Sequence, residues 1–198
     1  MKYSLFTALL LFSLQLSAQK GITVPQADPA HMVQPGMATV YGSFMPRHQT
    51  WLKKGYQHYV YIKNLQSGEL FLVETLHYFN NGKEGVFCCH LKPGTYELLS
   101  YKWGDAQVYG VKVHTEPIYE NIDATDSLEA KVKSGAIKIA DLKRFTFRVS
   151  EDTLYYLGSW NFNTGIAVFT DKKALADRQI KTDFLTVDFN KAITVIPR

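Results

Sequence analysis

The sequence predicts an all-β protein, an antiparallel β-sandwich with one short helix near its C-terminus. Three observations predict this fold class: apolar and polar residues alternate from residue 38 onward, turn-forming residues separate these stretches at intervals of roughly 8 to 12 residues, and only one segment has a convincing helical pattern. A period of two is typical of a strand with one buried face, and many short strands at this spacing are typical of a sandwich.

The first 18 residues have the anatomy of a secretory signal peptide. A basic start at Lys2 precedes an apolar run over 5–14, and a small-residue cleavage site ends at Ala18. The run is too short to span a bilayer, which needs about 20 residues as a helix, and Gln19 stands where a lipoprotein would need cysteine. We therefore expect an exported chain, periplasmic or extracellular, soluble after cleavage near Ala18 and not membrane-spanning.

The full chain of 198 residues has 46% apolar and 20% charged side chains, a globular composition. The length that remains after the signal fits one domain. Residues 19–37 contain three prolines and little periodicity, which predicts an extended leader lying on or beside the domain. Residues 38–198 form the predicted sandwich. Its predicted strands are 38–44, 57–65, 69–78, 85–91, 95–103, 107–114, 143–150, 154–162, 166–170, 184–189 and 193–196.

Turn residues define these strands. Asparagine and glycine tolerate positive φ, and proline presets φ near −65°, so segments 66–68, 80–83, 93–94, 104–105, 151–152 and 163–165 are predicted turns. Strand 143–150 shows the clearest alternation, with Phe145, Phe147 and Val149 on one face, which is the antiparallel signature. Strand 69–78 is apolar on both faces, so we place it centrally or under the leader.

In two further predicted strands, alternation indicates which side chains share a face. In 57–65, His58 shares a face with Val60 and Ile62, which indicates a core or rim histidine. In 154–162, alternation puts Trp160 on the face of Tyr156, together with Gly158 and Phe162.

The helix is predicted over 172–180, with Asp171 as its N-cap and with Leu175 and Ile180 turned inward. Residues 126–140 are ambiguous. Asp126 and Glu129 have capping-box spacing, yet apolar residues alternate with lysines about a Ser-Gly turn, and we favour a hairpin.

Two segments carry a resemblance to known families. The stretch LKPGTYEL at 91–98 resembles a strand start in transthyretin-like and immunoglobulin-like envelope sandwiches, and FTFRV at 145–149 with LYYLG at 154–158 is similar to strands of uncharacterised exported bacterial families. The resemblance covers about half of the chain. It implies a sandwich fold and an envelope location, with Tyr96 and Tyr156 in the core and Gly158 allowing close backbone approach, and it carries no catalytic residue.

Charge and motifs exclude several function classes. The net charge of +4 becomes +3 without Lys2, and the basic residues are scattered, so a nucleic-acid partner is not expected. The sequence has no nucleophile elbow, no HExxH, no phosphate-binding glycine loop and no CxxC. An enzyme would need a site assembled from dispersed residues, such as an envelope hydrolase using carboxylates and the histidines at 31, 48, 58, 77, 90 and 114.

Cofactors are not expected. Met32, Met37 and Met45 lie near His31 and His48, and thioethers with imidazoles suit Cu(I), but the spacing follows no ligand template. The acidic stretch 116–126 lacks the spacing of an EF-hand loop, which favours a solvated loop over a calcium site.

Aromatic side chains are the remaining functional candidates. Trp51, Tyr56, Trp103 and Tyr109 fall on or near predicted loops, where rigid rings can form a platform for a sugar or peptide. The alternative is that Trp51 and Trp103 cap the ends of the core. The sequence thus predicts a non-catalytic protein with a binding or envelope-structural role, whose partner is an unknown protein, peptide or glycan of the cell envelope.

The two cysteines are adjacent. On a strand, Cys89 faces the core with Phe87 and Leu91, while Cys88 takes the opposite face. A bridge between neighbours fits a strand badly, so we expect two thiols. Cys88 would be a reactive thiol beside His90 if its face is exposed, and inert if a second sheet or the leader covers it.

Overall fold

A computed structural model of the chain describes residues 21–29, 34–46, 58–75, 84–107, 110–123, 128–185 and 187–198. Its strands in chain order are β1 (Ile22–Val24), β2 (Ala38–Met45), β3 (His58–Asn64), β4 (Leu70–Thr75), β5 (Gly85–Leu91), β6 (Gly94–Gln107), β7 (Gly110–Pro117), β8 (Thr146–Val149), β9 (Leu154–Asn161), β10 (Val168–Thr170) and β11 (Ile193–Thr194). Two α-helices are described, α1 (Leu128–Lys133) and α2 (Lys173–Ile180), with 3₁₀ turns at Ile139–Asp141 and Phe189–Lys191. The all-β class is confirmed.

The strands form two mixed sheets. The first has the order β1-β4-β3-β6-β7, with β8 also paired to β6, and the second has the order β10-β9-β2-β5, with β11 also paired to β9. Three pairings, β1 with β4, β2 with β9 and β11 with β9, are parallel. The predicted antiparallel arrangement therefore holds for the other six pairings of the described strands and is wrong for these three. Parallel neighbours need a long connection, and nearly the whole first sheet lies between β2 and β9 in the chain.

The inner faces of both sheets contribute to one hydrophobic core. Val60, Ile62 and Leu98 of the first sheet belong to the same buried cluster as Val40 and Phe87 of the second. A second cluster lies on the other side of the second sheet, where helix α2 and the C-terminal segment cover it. Its members include Tyr41, Cys88, Tyr156, Ala176 and Ile180.

The predicted leader contacts both sheets. Strand β1 adds to β4 at the edge of the first sheet, as expected for a strand under the leader. Two residues further on, Gln26 bridges to Cys89, and the Ala27 N–H donates to the Cys88 carbonyl at 2.7 Å on β5 of the second sheet. The leader therefore runs across one side of the core.

The predicted turn at 104–105 is wrong. Strand β6 continues through it for 14 residues, and Gly104 pairs with Val113 of β7. A Cβ on Gly104 would lie 2.7 Å from a methyl of Val111, so this glycine makes room for a cross-strand neighbour instead of making a turn.

The predicted hairpin at 126–140 is also wrong. Helix α1 ends where Ser134 N–H donates to the Ala130 carbonyl, and Gly135 follows with φ +78°. A glycine in this conformation is a common helix C-terminus. Asp126 of the suspected capping box lies outside the described residues.

The predicted strand 184–189 is absent from the described part of that segment. Phe184 and Phe189 are buried and Leu185 is 78% exposed, which breaks the period of two, and Phe189 begins a 3₁₀ turn. Helix α2 is confirmed, although it starts at Lys173. Asp171 accepts a hydrogen bond from the Lys173 N–H at 2.9 Å, while Leu175 is exposed rather than inward.

Candidate functional site

Of the four predicted platform residues, only Trp103 has a side chain that the structure describes. Trp51, Tyr56 and Tyr109 lie outside the described residues or side chains. Trp103 belongs to the core, with 8% of its surface exposed, and its ring stacks at 4.9 Å on Tyr101 and at 5.0 Å on His114. For Trp103 the platform interpretation is therefore wrong, and the alternative interpretation, in which its ring caps the core, agrees with this burial and stacking.

Cys88 is not an exposed thiol. It has 2% of its surface exposed, beneath the leader and helix α2, and neither Cys88 nor Cys89 forms a disulfide. Burial raises the pKa of the Cys88 thiol well above its usual value and that of Cys89 to about 12. The predicted strand register is confirmed, and the idea of a reactive Cys88 is corrected because the leader and α2 cover its face.

The described histidines do not converge. His58 is buried and its Nδ1 lies 2.6 Å from the Tyr101 hydroxyl, whereas His90 Nδ1 lies 3.2 Å from the Thr39 hydroxyl in the other sheet. His114 stacks on Trp103. The described residues contain no group of three His, Cys, Asp or Glu side chains positioned for a metal ion, and the histidines at 31, 48 and 77 lie outside them.

A small cavity lies between the ends of the two sheets. Its volume is about 10 Å³, room for about one water molecule. It is lined by residues that include Tyr101, Glu116, Tyr119 and Phe162. Sites for small molecules are typically several hundred Å³ in volume, so this cavity does not provide one.

A cluster of polar side chains around the buried carboxylate of Glu84 lies beneath helix α2. Glu84, which precedes β5, accepts hydrogen bonds from Ser43 at 2.5 Å and Ser159 at 2.6 Å, and it also pairs with the Lys172 ammonium. Gln179 of α2 donates to the Glu84 carbonyl at 2.6 Å. The cluster therefore connects β2, β5, β9 and the start of α2.

The Glu84 cluster has a structural role, because its polar groups bond to one another. Burial raises the pKa of Glu84, but the hydrogen bonds from Lys172, Ser159 and Ser43 outweigh burial and hold the pKa below its ordinary value. Ser43 and Ser159 are about 1% exposed or less, and the Glu84 side chain is 5% exposed. A substrate therefore has no path to a serine hydroxyl here, and the carboxylate stabilises the docking of α2.

The outer face of the first sheet carries the best candidate binding surface. Because Val60 and Ile62 point into the core, Tyr59 and Tyr61 of β3 point outward, and both are half-buried. Their cross-strand neighbours on β4 and β6 also face outward and are half-buried. We call this set, which consists of Tyr59, Tyr61, Leu72, Glu74 and Lys102, the tyrosine face.

Register fixes two rows on the tyrosine face. Tyr59 pairs with Glu74 on one side and with Lys102 on the other, giving a row of carboxylate, phenol and ammonium. Tyr61 pairs with Leu72, giving an apolar row beside it. Neighbouring strands lie about 4.8 Å apart, so each row brings its side chains within reach of one ligand.

Electrostatics couple the two rows. The Lys102 ammonium donates to the Tyr61 hydroxyl at 3.4 Å and lies 5.7 Å from the centroid of that ring. Burial raises the pKa of Tyr59, and the Glu74 carboxylate and Tyr61 raise it further. The Tyr59 phenol is therefore a neutral hydrogen-bond donor at neutral pH.

Sequence reasoning missed the tyrosine face. It assigned His58, Val60 and Ile62 to the inner face and looked for functional aromatics in loops. The same alternation that buries those three residues places Tyr59 and Tyr61 outside. This alternation in β3 was the feature of the sequence from which the outward tyrosine pair could have been predicted.

Comparisons with known proteins add no identity. No protein-family model matches the chain, and the searches of curated proteins and of solved structures found no match to it. Within the described residues, no helix combines the length and the apolar character that crossing a membrane requires.

Proposed function

We propose that this protein is an exported, non-catalytic binding module that takes a neutral glycan of the cell envelope on the tyrosine face. The observation that carries the proposal is the outward pair Tyr59 and Tyr61, set in register with Glu74 and Lys102. Export is supported by the signal-like residues 1–18, and the β-rich fold is consistent with the sandwich that the sequence predicts.

The pairing of an apolar row with a polar row favours a sugar. A pyranose ring presents C–H groups on its faces, which pack on rings such as Tyr61 and on Leu72, and hydroxyl groups at its rim, which need donors and acceptors. Glu74 supplies an acceptor, Lys102 a donor, and Tyr59 both. Rigid aromatic side chains give large contact area at little entropic cost.

Charge balance favours a neutral ligand over a charged one. The tyrosine face has one carboxylate and one ammonium on either side of Tyr59. An anionic ligand would be repelled by Glu74 and a cationic one by Lys102, whereas hydroxyl groups satisfy both.

The test is titration calorimetry of neutral envelope oligosaccharides against wild type and single variants. Tyr61→Ala should weaken binding about fivefold or more, because one aromatic contact contributes about 1 kcal/mol or more. Lys63→Ala is the matched control, since Lys63 is the next outward residue on β3, beyond the tyrosine pair. Equal loss in both variants, or binding unaffected by either, would overturn the proposal.

A further inference from the structure

Strand β7 forms an exposed edge of the first sheet. It pairs with β6 and ends the strand order of that sheet in the described part of the chain. Val111 and Val113 are 65% and 55% exposed, and Lys112 and Thr115 are exposed as well. A long edge with exposed valines is a template for pairing with another strand.

The hydrogen-bond pattern shows which groups of β7 face outward. The Ile118 N–H donates to the Leu99 carbonyl at 2.9 Å, in the same register that pairs His114 with Trp103. Antiparallel pairs alternate between bonded and non-bonded, so the even-numbered residues of β7 use their N–H and C=O groups on β6. The backbone groups of Val111, Val113 and Thr115 therefore point away from the sheet.

The sequence of β7 is self-complementary in charge. In an antiparallel pairing of two copies centred on His114, Lys112 of each copy lies opposite Glu116 of the other. Val113 lies opposite Thr115, and these two residues carry the outward N–H and C=O groups. The charged pairs fall at non-bonded positions, where Cα atoms are only about 4.5 Å apart.

We propose that β7 pairs with β7 of a second copy, so that the first sheets of two molecules join into one continuous sheet with two Lys112–Glu116 ion pairs across a two-fold axis. Such an interface is isologous, because each copy offers the same strand in the same register. It is independent of the tyrosine face and of the glycan proposal.

The experiment measures dimerisation of protein purified from an exporting host, by sedimentation over a concentration series. Wild type should be a dimer. Lys112→Glu and Glu116→Lys, each alone, replace both attractive pairs with repulsive ones and should raise the dissociation constant about tenfold or more. The double variant Lys112→Glu/Glu116→Lys restores complementarity in the same register and should dimerise like wild type.

Mixing the two single variants is the sharpest arm of the test. Each would repel itself, but together they form two correct ion pairs, so a heterodimer should appear on mixing. Lys133→Glu, a change in helix α1, is the matched charge control and should leave the dimer intact. A wild type that stays monomeric at its highest soluble concentration, a dimer insensitive to Lys112→Glu, or an absent heterodimer would each overturn the proposal. Circular dichroism spectra of all variants separate loss of dimer from loss of fold.

Discussion

Single buried polar residues connect the second sheet to its helix. Glu84 accepts hydrogen bonds from serines of two strands and from Lys172, and Tyr41 donates to Asp177 of α2 at 2.5 Å. Each of these contacts joins elements that are far apart in the chain. Removing one partner leaves the others buried and unpaired, which costs more than the hydrogen bond contributes.

Glu84→Gln should therefore destabilise the protein at pH 7 by about 1–3 kcal/mol, because the amide cannot accept all of the bonds that the carboxylate accepts. The pKa of Glu84 is lowered by folding from an ordinary value of 4.5. Its contribution is thus fully present above about pH 4.5 and is lost as the pH falls through the folded pKa. Urea unfolding from pH 7 to pH 3 should show the difference between wild type and variant shrinking below pH 4.5.

The control for this pH dependence is Glu69→Gln. Glu69 has its pKa lowered by Lys92 and Ser67, but the pair is on the surface. Solvent screens such pairs, so this variant should change the pH profile much less. Equal profiles for the two variants would contradict the role assigned to the Glu84 cluster.

The buried cysteines lead to a second prediction at the residue scale. Thiolate is the reactive species, and burial raises the pKa of both Cys88 and Cys89. Native protein should therefore resist thiol alkylation at pH 8, while denatured protein should take two labels. Mass mapping of the labelled peptide checks this result, and rapid native labelling at Cys88 would show that the leader and α2 do not cover it.

At the scale of elements, a bulge in β9 determines which side chains face the core. Tyr41 pairs with Tyr156, but Ser43 pairs with Ser159, so β9 contains an extra residue beside Gly42. Gly158 has φ +91° at this point, and a Cβ on Gly42 would lie 2.5 Å from the Gly158 carbonyl. The extra residue puts Tyr156 on the helix side and Trp160 in the main core.

Two glycine substitutions, Gly42→Ala beside this bulge and Gly68→Ala in the turn between β3 and β4, distinguish the effect of crowding from that of backbone strain. Gly42→Ala should destabilise by about 1–3 kcal/mol through overpacking against the Gly158 carbonyl and the Phe87 ring. Gly68→Ala should lower the free energy of unfolding by about 1 kcal/mol through backbone strain alone. That glycine has φ +74°, and no atom lies within 4 Å of the position of an added Cβ. Thermal unfolding of both variants checks the order, and a smaller loss at Gly42 would refute close strand approach.

The sequence was sufficient to predict where several strands lie, and insufficient to predict where a strand departs from regular alternation. Strands β2, β3 and β5 were predicted within two residues of their ends, although only β3 alternates along its whole length and β2 and β5 are buried on both faces. The shared face of Tyr156 and Trp160 was wrong, because a one-residue bulge inverts every later side chain. No local pattern marks a bulge, since it depends on the partner strand.

The candidate site followed the same rule. The alternation in β3 contains the tyrosine pair, but the positions of Glu74 and Lys102 beside Tyr59 depend on which strands pair and in which register. The Glu84 cluster joins residues from four separate elements, so spacing in the sequence could not reveal it.

At the scale of the whole molecule, the C-terminal segment connects the two sheets. Strand β11 adds to β9 of the second sheet, and the Val195 N–H donates to the Tyr156 carbonyl at 2.8 Å. Three residues later, Arg198 and Thr146 exchange two backbone hydrogen bonds, of 2.9 and 3.0 Å, at β8 of the first sheet. The two sheets are therefore linked at this edge by hydrogen bonds as well as by their shared core.

Deleting residues 193–198 should lower the free energy of unfolding by about 2–4 kcal/mol, because it removes these backbone bonds and leaves their β8 and β9 partners unpaired. Urea unfolding followed by far-UV and near-UV circular dichroism measures the loss, and the two signals should still coincide because the sheets share one core. Leu185→Ser, at a side chain 78% exposed, is the matched control and should change stability by less than about 0.5 kcal/mol. Unchanged stability of the truncated chain would show that the shared core alone joins the two sheets.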